Sequence, residues 1–146
     1  MVLVLSKVFA SLKMKTVLIF VCVLGVTFGD RLEVEEQVLE SVHEDCQANP
    51  STFVDPQLLQ NLSENINDPR LGAHFYCESR AVGLQKANGD LNLPVITSKI
   101  SLTIKNTEVI NKLLRKCAVR QQSPKKTATH LFMCLHYYGV TYFHEF

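Results

Sequence analysis

Four cysteines, Cys46, Cys77, Cys117 and Cys134, have the most informative chemistry and spacing in this sequence. No two of them form a C-x-x-C pair, the close spacing with which zinc sites usually take ligands from a tight turn. Each falls in a different helical segment, and an even number of cysteines in an oxidising compartment predicts disulfides. The spacing therefore favours two structural disulfides over a metal site or a catalytic thiol, and it leaves the pairing open.

The histidines give no sign of a catalytic site. They do not form the H-x-x-x-H or H-E-x-x-H patterns with which a helix presents zinc ligands. The sequence also lacks the G-x-S-x-G pattern of many serine hydrolases. We therefore expect neither an enzyme nor a bound metal or cofactor. The five histidines are His43, His74, His130, His136 and His144.

The N-terminal segment has the three parts of a secretory signal. Three lysines precede an apolar run of about a dozen residues at 17–28, which is shorter than the ~20 residues of a membrane span. Gly29 ends a small-x-small cleavage site before Asp30. We predict that residues 1–29 are a secretory signal peptide, that residues 30–146 form one secreted domain, and that the protein does not insert stably into membranes.

The charge of the predicted mature chain gives no indication of nucleic-acid binding. Twelve of the fifteen Lys and Arg residues and all fourteen acids follow Gly29, which leaves a net charge of −2. Basic residues do gather between 112 and 126, but they surround a predicted helix end and turn, where cations are favourable and solvated. A basic patch for nucleic acid is therefore not expected.

Hydrophobic periodicity predicts a helix at the start of the mature chain. Val34, Val38, Val42 and Cys46 recur at every fourth residue, and Leu39 lies beside them. The intervening glutamates would face solvent. We expect an amphipathic helix of about four turns that buries this valine stripe.

Helix-start signals predict most of the other elements. Asp55, Asp68 and Ser123 each precede a proline, the combination of an N-cap with proline at the first helical position. Another helix should begin at about Asn106. The β-branched residues of the segment 91–104 could form a strand, and its end, ISLTI, alternates, but the chain offers no partner strand, so we expect a helix there too. The fold class is all-α, a compact bundle of about six helices.

The stretches "CESRAVGLQKANGDL" and "SPKKTATHLFMCLHYY", with the cysteine-bearing helices, resemble the insect odorant-binding protein family. The resemblance runs from about residue 32 to 142. The family usually has six cysteines, with three residues between the second and third and eight between the fifth and sixth. Those two positions fall here at Ala73 and Lys125. Because the two missing cysteines pair with each other in the family, this chain is similar to its four-cysteine "minus-C" branch.

The resemblance implies a pairing and a function. Cys46 would pair with Cys77 and Cys117 with Cys134, stapling the helices around an apolar cavity. The protein would be a secreted carrier that binds an odorant, a pheromone or a lipid-like molecule and transports it through aqueous fluid. A small apolar ligand is the expected partner, with a chemosensory receptor and dimerisation as further possibilities.

Ordinary core packing explains each apolar residue taken singly, and only the set, together with the resemblance, indicates a cavity. The candidate lining residues are Leu58, Leu59, Phe75, Leu84, Ile100, Ile104, Ile110, Leu114, Phe132, Leu135, Tyr138, Tyr142, Phe143 and Phe146.

The C-terminal tail is too apolar to remain in water, and Gly139 would let it turn back across the bundle. Two interpretations stay open: a lid whose Tyr142 or Phe146 touches the ligand, or a segment that only seals the core. A further hypothesis is that protonation of His136 and His144 loosens the tail and releases ligand at acidic pH.

Three other functions remain open at this point. Scattered catalytic residues of a secreted hydrolase would leave no motif. A secreted signalling bundle would act through an exposed protein-binding face. A carrier of the same shape can also serve outside olfaction, in glands, reproductive fluid or body fluid.

Overall fold

The structure is a computed structural model that describes residues 30–143. The predicted signal peptide at 1–29 lies outside the described residues, and so do His144 and Phe146. Within the described part, none of the helices combines the length and apolarity that crossing a membrane would require.

Seven α-helices account for most of residues 30–143, and no strand occurs in that range. A 3-10 turn at Thr141–Phe143 follows the last helix. The prediction of an all-α bundle is confirmed. The helices are α1 (Asp30–Ala48), α2 (Pro56–Gln60), α3 (Leu62–Asn65), α4 (Pro69–Ala81), α5 (Leu93–Ile100), α6 (Thr107–Cys117) and α7 (Pro124–Tyr137).

Side-chain caps start the helices where the sequence predicted them. The carboxylates of Asp55 and Asp68 accept hydrogen bonds, each 2.8 Å long, from the backbone N–H two residues on. Asn106 Oδ1 accepts from two N–H groups of the first turn of α6, and Ser123 Oγ accepts from a first-turn N–H of α7. These caps satisfy donors that a helix cannot satisfy itself.

The predicted buried face of α1 is wrong. Val34 and Val38 are 53% and 46% exposed, whereas Leu39 and Cys46 are buried and Glu35 is half-buried. A stripe of every fourth residue turns about 40° around the helix axis at each step, so its two ends face different directions. The stripe that packs instead combines spacings of three and four and stays on one face.

Two further expectations needed adjustment. The second helix is interrupted at Asn61, whose φ of −116° and ψ of 42° are not helical, so α2 and α3 are separate short helices. In the segment 91–104 the expected helix forms as α5, but it ends at Ile100, and the alternating residues that follow lie in turns instead of a helix.

The two disulfides hold the helices that form the core. Cys46 is joined to Cys77, which links α1 to α4, and Cys117 is joined to Cys134, which links α6 to α7. This is the pairing that the resemblance implied. Helices α4 and α7 pack along each other, and the described residues from Val34 onwards belong to one compact unit.

Candidate ligand-binding site

Aromatic side chains from α4, α7 and the C-terminal segment meet in the core. Phe75 stacks on Phe132 with 5.1 Å between ring centroids, and the rings of Phe132 and Phe143 are nearly perpendicular with 5.3 Å between centroids. Tyr142 lies edge-on to Phe143 at 5.0 Å. All four rings are almost completely buried. Such contacts add to the free energy of burial and create a continuous apolar surface.

The aromatic cluster leaves a narrow space beside it. No water-sized sphere fits into this space. Pockets that hold small ligands are usually about 300–1,000 Å³. A ligand could occupy this position only if part of the wall moved. The wall consists of Leu62, Phe75, Phe132, Met133, His136 and Phe143.

The C-terminal segment turns back into the bundle at Gly139, whose φ of +71° is the left-handed conformation that glycine adopts easily. Val140 N–H then donates to the carbonyl of Leu135 at 3.0 Å. Val140, Tyr142 and Phe143 are buried. The expected reversal of the tail is thus present, and its side chains belong to the core.

An ion pair lies beside the ring of Tyr142. Lys99 Nζ lies 4.9 Å from the centre of the Tyr142 ring and forms an ion pair with Glu35. A cation above the face of an aromatic ring is attracted electrostatically to that ring. Lys99 and Glu35 are not among the residues predicted from the sequence, although Ile96, Lys99 and Ile100 share one face of a helix.

The hydroxyl of Tyr142 is buried and has no hydrogen-bond partner among residues 30–143. Burial raises the pKa of this hydroxyl well above its usual range, and the negative charges of Glu35 and Glu78 raise it further. The group therefore stays protonated, and it can donate a hydrogen bond to an acceptor that enters the core.

Most of the predicted lining residues lie in the interior. Leu58, Ile104 and Leu114 are half-buried and pack against the core. Tyr138 lies at the surface, 41% exposed, with its hydroxyl 2.9 Å from Lys116 Nζ. Phe146 is outside the described residues. The candidates that are buried are Leu59, Phe75, Leu84, Ile100, Ile110, Phe132, Leu135, Tyr142 and Phe143.

A second, more open pocket of about 550 Å³ lies at the surface of α4. Ala73 and Lys125, the two positions where cysteines of the six-cysteine pattern would stand, both line it, and so do Arg80 and Ser51. The helices that a third disulfide would join therefore already lie side by side. This pocket is open to solvent and would bury less of an apolar ligand than the core would.

One contact bears on the hypothesis of acid release. His136 Nδ1 lies 3.1 Å from the carbonyl oxygen of Phe143, so this nitrogen carries the donated hydrogen. An imidazolium donates from the same position, and protonation of His136 would therefore leave this bond in place. Acid release stays a prediction, checked by comparing ligand affinity at about pH 7 and pH 5.

Comparison with known proteins identifies the family. The family model described as PBP/GOBP matches residues 31–138, and the chain belongs to this family. No curated protein matches the chain. Members of the family, which include the insect odorant-binding proteins, bind small odorants or pheromones and are not enzymes. They are typically secreted, and the two disulfides fit an oxidising compartment.

Proposed function

We propose that this protein is a secreted carrier that takes a small hydrophobic molecule into its aromatic core and transports it through aqueous fluid. The observation that supports this most is the composition of the core wall. Phe75 and Phe132 come from helices that are each tied by a disulfide, whereas Phe143 comes from the short C-terminal segment. One wall thus comes from disulfide-linked helices, whereas in the segment 140–143 the backbone hydrogen bond to the preceding helix is that from Val140 N–H to the carbonyl of Leu135.

The ligand enters by displacing the C-terminal segment. If Phe143 moves away from Phe132, the volume of its side chain is added to the narrow space beside the cluster. The apolar surface that this exposes is then covered by the ligand instead of by the protein's own ring. In this proposal the segment is both a part of the core and a lid, because the same side chains perform both tasks in turn.

The hydroxyl of Tyr142 adds a directional preference, because Tyr142 packs against Phe143, which lines the narrow space. It is buried, protonated and without an acceptor among the described residues. A ligand that carries a carbonyl, ester or alcohol oxygen would satisfy it, whereas a pure hydrocarbon would not. Leaving a buried donor unsatisfied costs about 1–3 kcal/mol, so an oxygen-bearing ligand should bind more tightly than its hydrocarbon analogue.

A fluorescent apolar naphthylamine probe tests the proposal on disulfide-intact protein without residues 1–29. We expect saturable micromolar binding that apolar alcohols and esters displace. Phe143→Leu should change the affinity of the probe at least threefold, whereas the surface control Tyr137→Leu should not. Tyr137 is 81% exposed.

The outcomes separate the parts of the proposal. Binding that is equal in Phe143→Leu and wild type would keep the carrier and discard the lid. An absence of saturable binding, with both disulfides verified, would overturn the carrier and favour a role through a protein-binding surface. Native mass spectrometry for co-purified lipid is an independent check.

Secretion, delivery to a chemosensory receptor and dimerisation belong to the same proposal. N-terminal sequencing of the secreted protein should begin at Asp30 if residues 1–29 are the signal peptide. Sedimentation of the oxidised protein with and without ligand would show whether it dimerises. Expression in gland or body fluid rather than in sensory tissue would assign the carrier a role outside olfaction.

A further inference from the structure

A compact polar cluster lies between α1 and α4, formed by His43 of α1 with His74 and Glu78, which stand four residues apart on α4. Glu78 Oε1 lies 2.8 Å from His43 Nδ1 and 2.8 Å from His74 Nε2, and these two nitrogens are 3.1 Å apart. The side chains of His74 and Glu78 are fully buried, and that of His43 is 27% exposed. No metal site was expected from the sequence, because the spacing of the histidines matches no zinc motif.

With both histidines neutral and the glutamate ionised, the cluster has too few hydrogens for its three close contacts. His74 Nδ1 lies 2.9 Å from the carbonyl oxygen of Thr52, so a neutral His74 carries its ring hydrogen on Nδ1. Its Nε2 then has a lone pair and no hydrogen. That lone pair faces a carboxylate oxygen of Glu78 at 2.8 Å. A single hydrogen on His43 Nδ1 cannot form hydrogen bonds in all three of the contacts among His43, His74 and Glu78. The cluster needs either an extra proton or a cation.

We propose that His43 Nδ1, His74 Nε2 and Glu78 bind one Zn²⁺ ion. A circle through the three ligand atoms has a radius of about 1.7 Å. An ion about 1.2 Å above the plane of these atoms would therefore lie ~2.1 Å from each, which is the usual Zn–N and Zn–O distance. Side-chain rotations that spread the three atoms to separations of about 3.4 Å, an increase of roughly 0.3–0.6 Å, would give tetrahedral angles at the ion. Two histidines and a carboxylate are an established set of zinc ligands.

Three features of the surroundings fit such a site. The hydrogen bond from His74 Nδ1 to the carbonyl oxygen of Thr52 fixes the imidazole ring with Nε2 directed at the proposed ion. Metal-bound histidines usually have such a hydrogen bond on their other ring nitrogen. Glu78 Oε2 is buried without a hydrogen-bond partner among residues 30–143, so a second oxygen is available to the ion. The partial exposure of His43 leaves a side open for entry of the ion and for a water as fourth ligand.

The neighbouring disulfide prepares the site. His43 stands three residues before Cys46, and His74 stands three residues before Cys77. The Cys46–Cys77 bond holds the two Cα atoms 6.1 Å apart, which brings the preceding turns of both helices together as well. Zinc would therefore add a second link between α1 and α4 without requiring the helices to move.

The test is zinc binding by metal-free, disulfide-intact protein that lacks residues 1–29. We expect one ion per chain with micromolar or tighter affinity, the visible absorption of four-coordinate cobalt when Co²⁺ replaces zinc, and a rise in Tm with zinc concentration. Glu78→Gln keeps the shape and can donate to His74 Nε2. It should weaken zinc binding at least ~10-fold and abolish the rise in Tm.

Two further variants complete the design. His43→Gln should also weaken zinc binding, and because this side chain is part-exposed it decides the matter if Glu78→Gln fails to fold. His130→Gln removes a histidine on α7 and should bind zinc like wild type. An absence of stoichiometric binding to wild type, or binding that survives both Glu78→Gln and His43→Gln, would overturn the proposal. The carrier function does not depend on either result.

Discussion

Replacing Tyr142 with phenylalanine should stabilise the ligand-free protein. The substitution removes one oxygen atom and keeps the ring, so the contacts with Phe143 and with the ammonium of Lys99 remain. The hydroxyl is fully buried and has no hydrogen-bond partner in the described part of the chain. A buried polar group without a partner costs about 1–3 kcal/mol, and we expect most of this to be recovered.

The same substitution should change the response to alkaline pH. The pKa of Tyr142 is raised in the folded state, so the folded protein retains this proton at pH values where the unfolded chain has lost it. The stabilising effect of the retained proton is complete below the unfolded pKa of about 10 and is lost as pH rises from there through the folded pKa. Wild-type stability should fall by up to ~1.4 kcal/mol per pH unit in that window, and Tyr142→Phe should remove this contribution.

Urea denaturation of delipidated protein at neutral pH and between about pH 10 and 11 measures both effects. At neutral pH the midpoint should rise in Tyr142→Phe, with an increase in Tm of roughly 4 °C per kcal/mol. Tyr137→Phe is the matched control, since it removes a hydroxyl that is exposed and should leave stability unchanged within about 0.5 kcal/mol. If Tyr142→Phe were less stable than wild type by about 1 kcal/mol or more, the hydroxyl would have a partner and the reasoning would be refuted.

Deleting residues 139–146 should unfold the protein, because the deletion removes three fully buried side chains. Their burial stabilises the fold by about 5–9 kcal/mol in total, which is comparable to the stability of a whole domain. A cooperative urea transition near the wild-type midpoint would contradict this prediction. Ala73→Cys with Lys125→Cys should form a third disulfide and add up to about 4 kcal/mol, as measured by thiol titration and Tm. Thiols that stay free after oxidative refolding would show that the two positions do not meet. Cys117→Ser with Cys134→Ser should lower the free energy of unfolding by about 3 kcal/mol in urea, and a loss below ~1 kcal/mol would speak against a stabilising clamp.

Local signals predicted the elements of the fold well. The caps at Asp55, Asp68 and Ser123 act within their own first turn, so the neighbouring residues suffice to locate them. The resemblance supplied the disulfide pairing, which the spacing alone left open. Together they were enough for the fold class and the family.

The face that a helix buries is decided elsewhere. Val34 and Val38 had the composition of a buried stripe, yet α1 is oriented by Cys46, which is bound to α4. Tyr138 had the composition of a lining residue, yet it lies at the surface beside Lys116. Periodicity reports how residues are distributed around one helix, whereas burial depends on where the partner helix lies.

The sequence by itself determined the helical elements, their starting points and, through its cysteines and motifs, the family. Only the tertiary structure decided that the C-terminal rings complete the core, and that His43, His74 and Glu78 meet. The physical reason is range: caps and helical periods depend on residues within a few positions, whereas a cluster of side chains from different helices depends on how those helices pack.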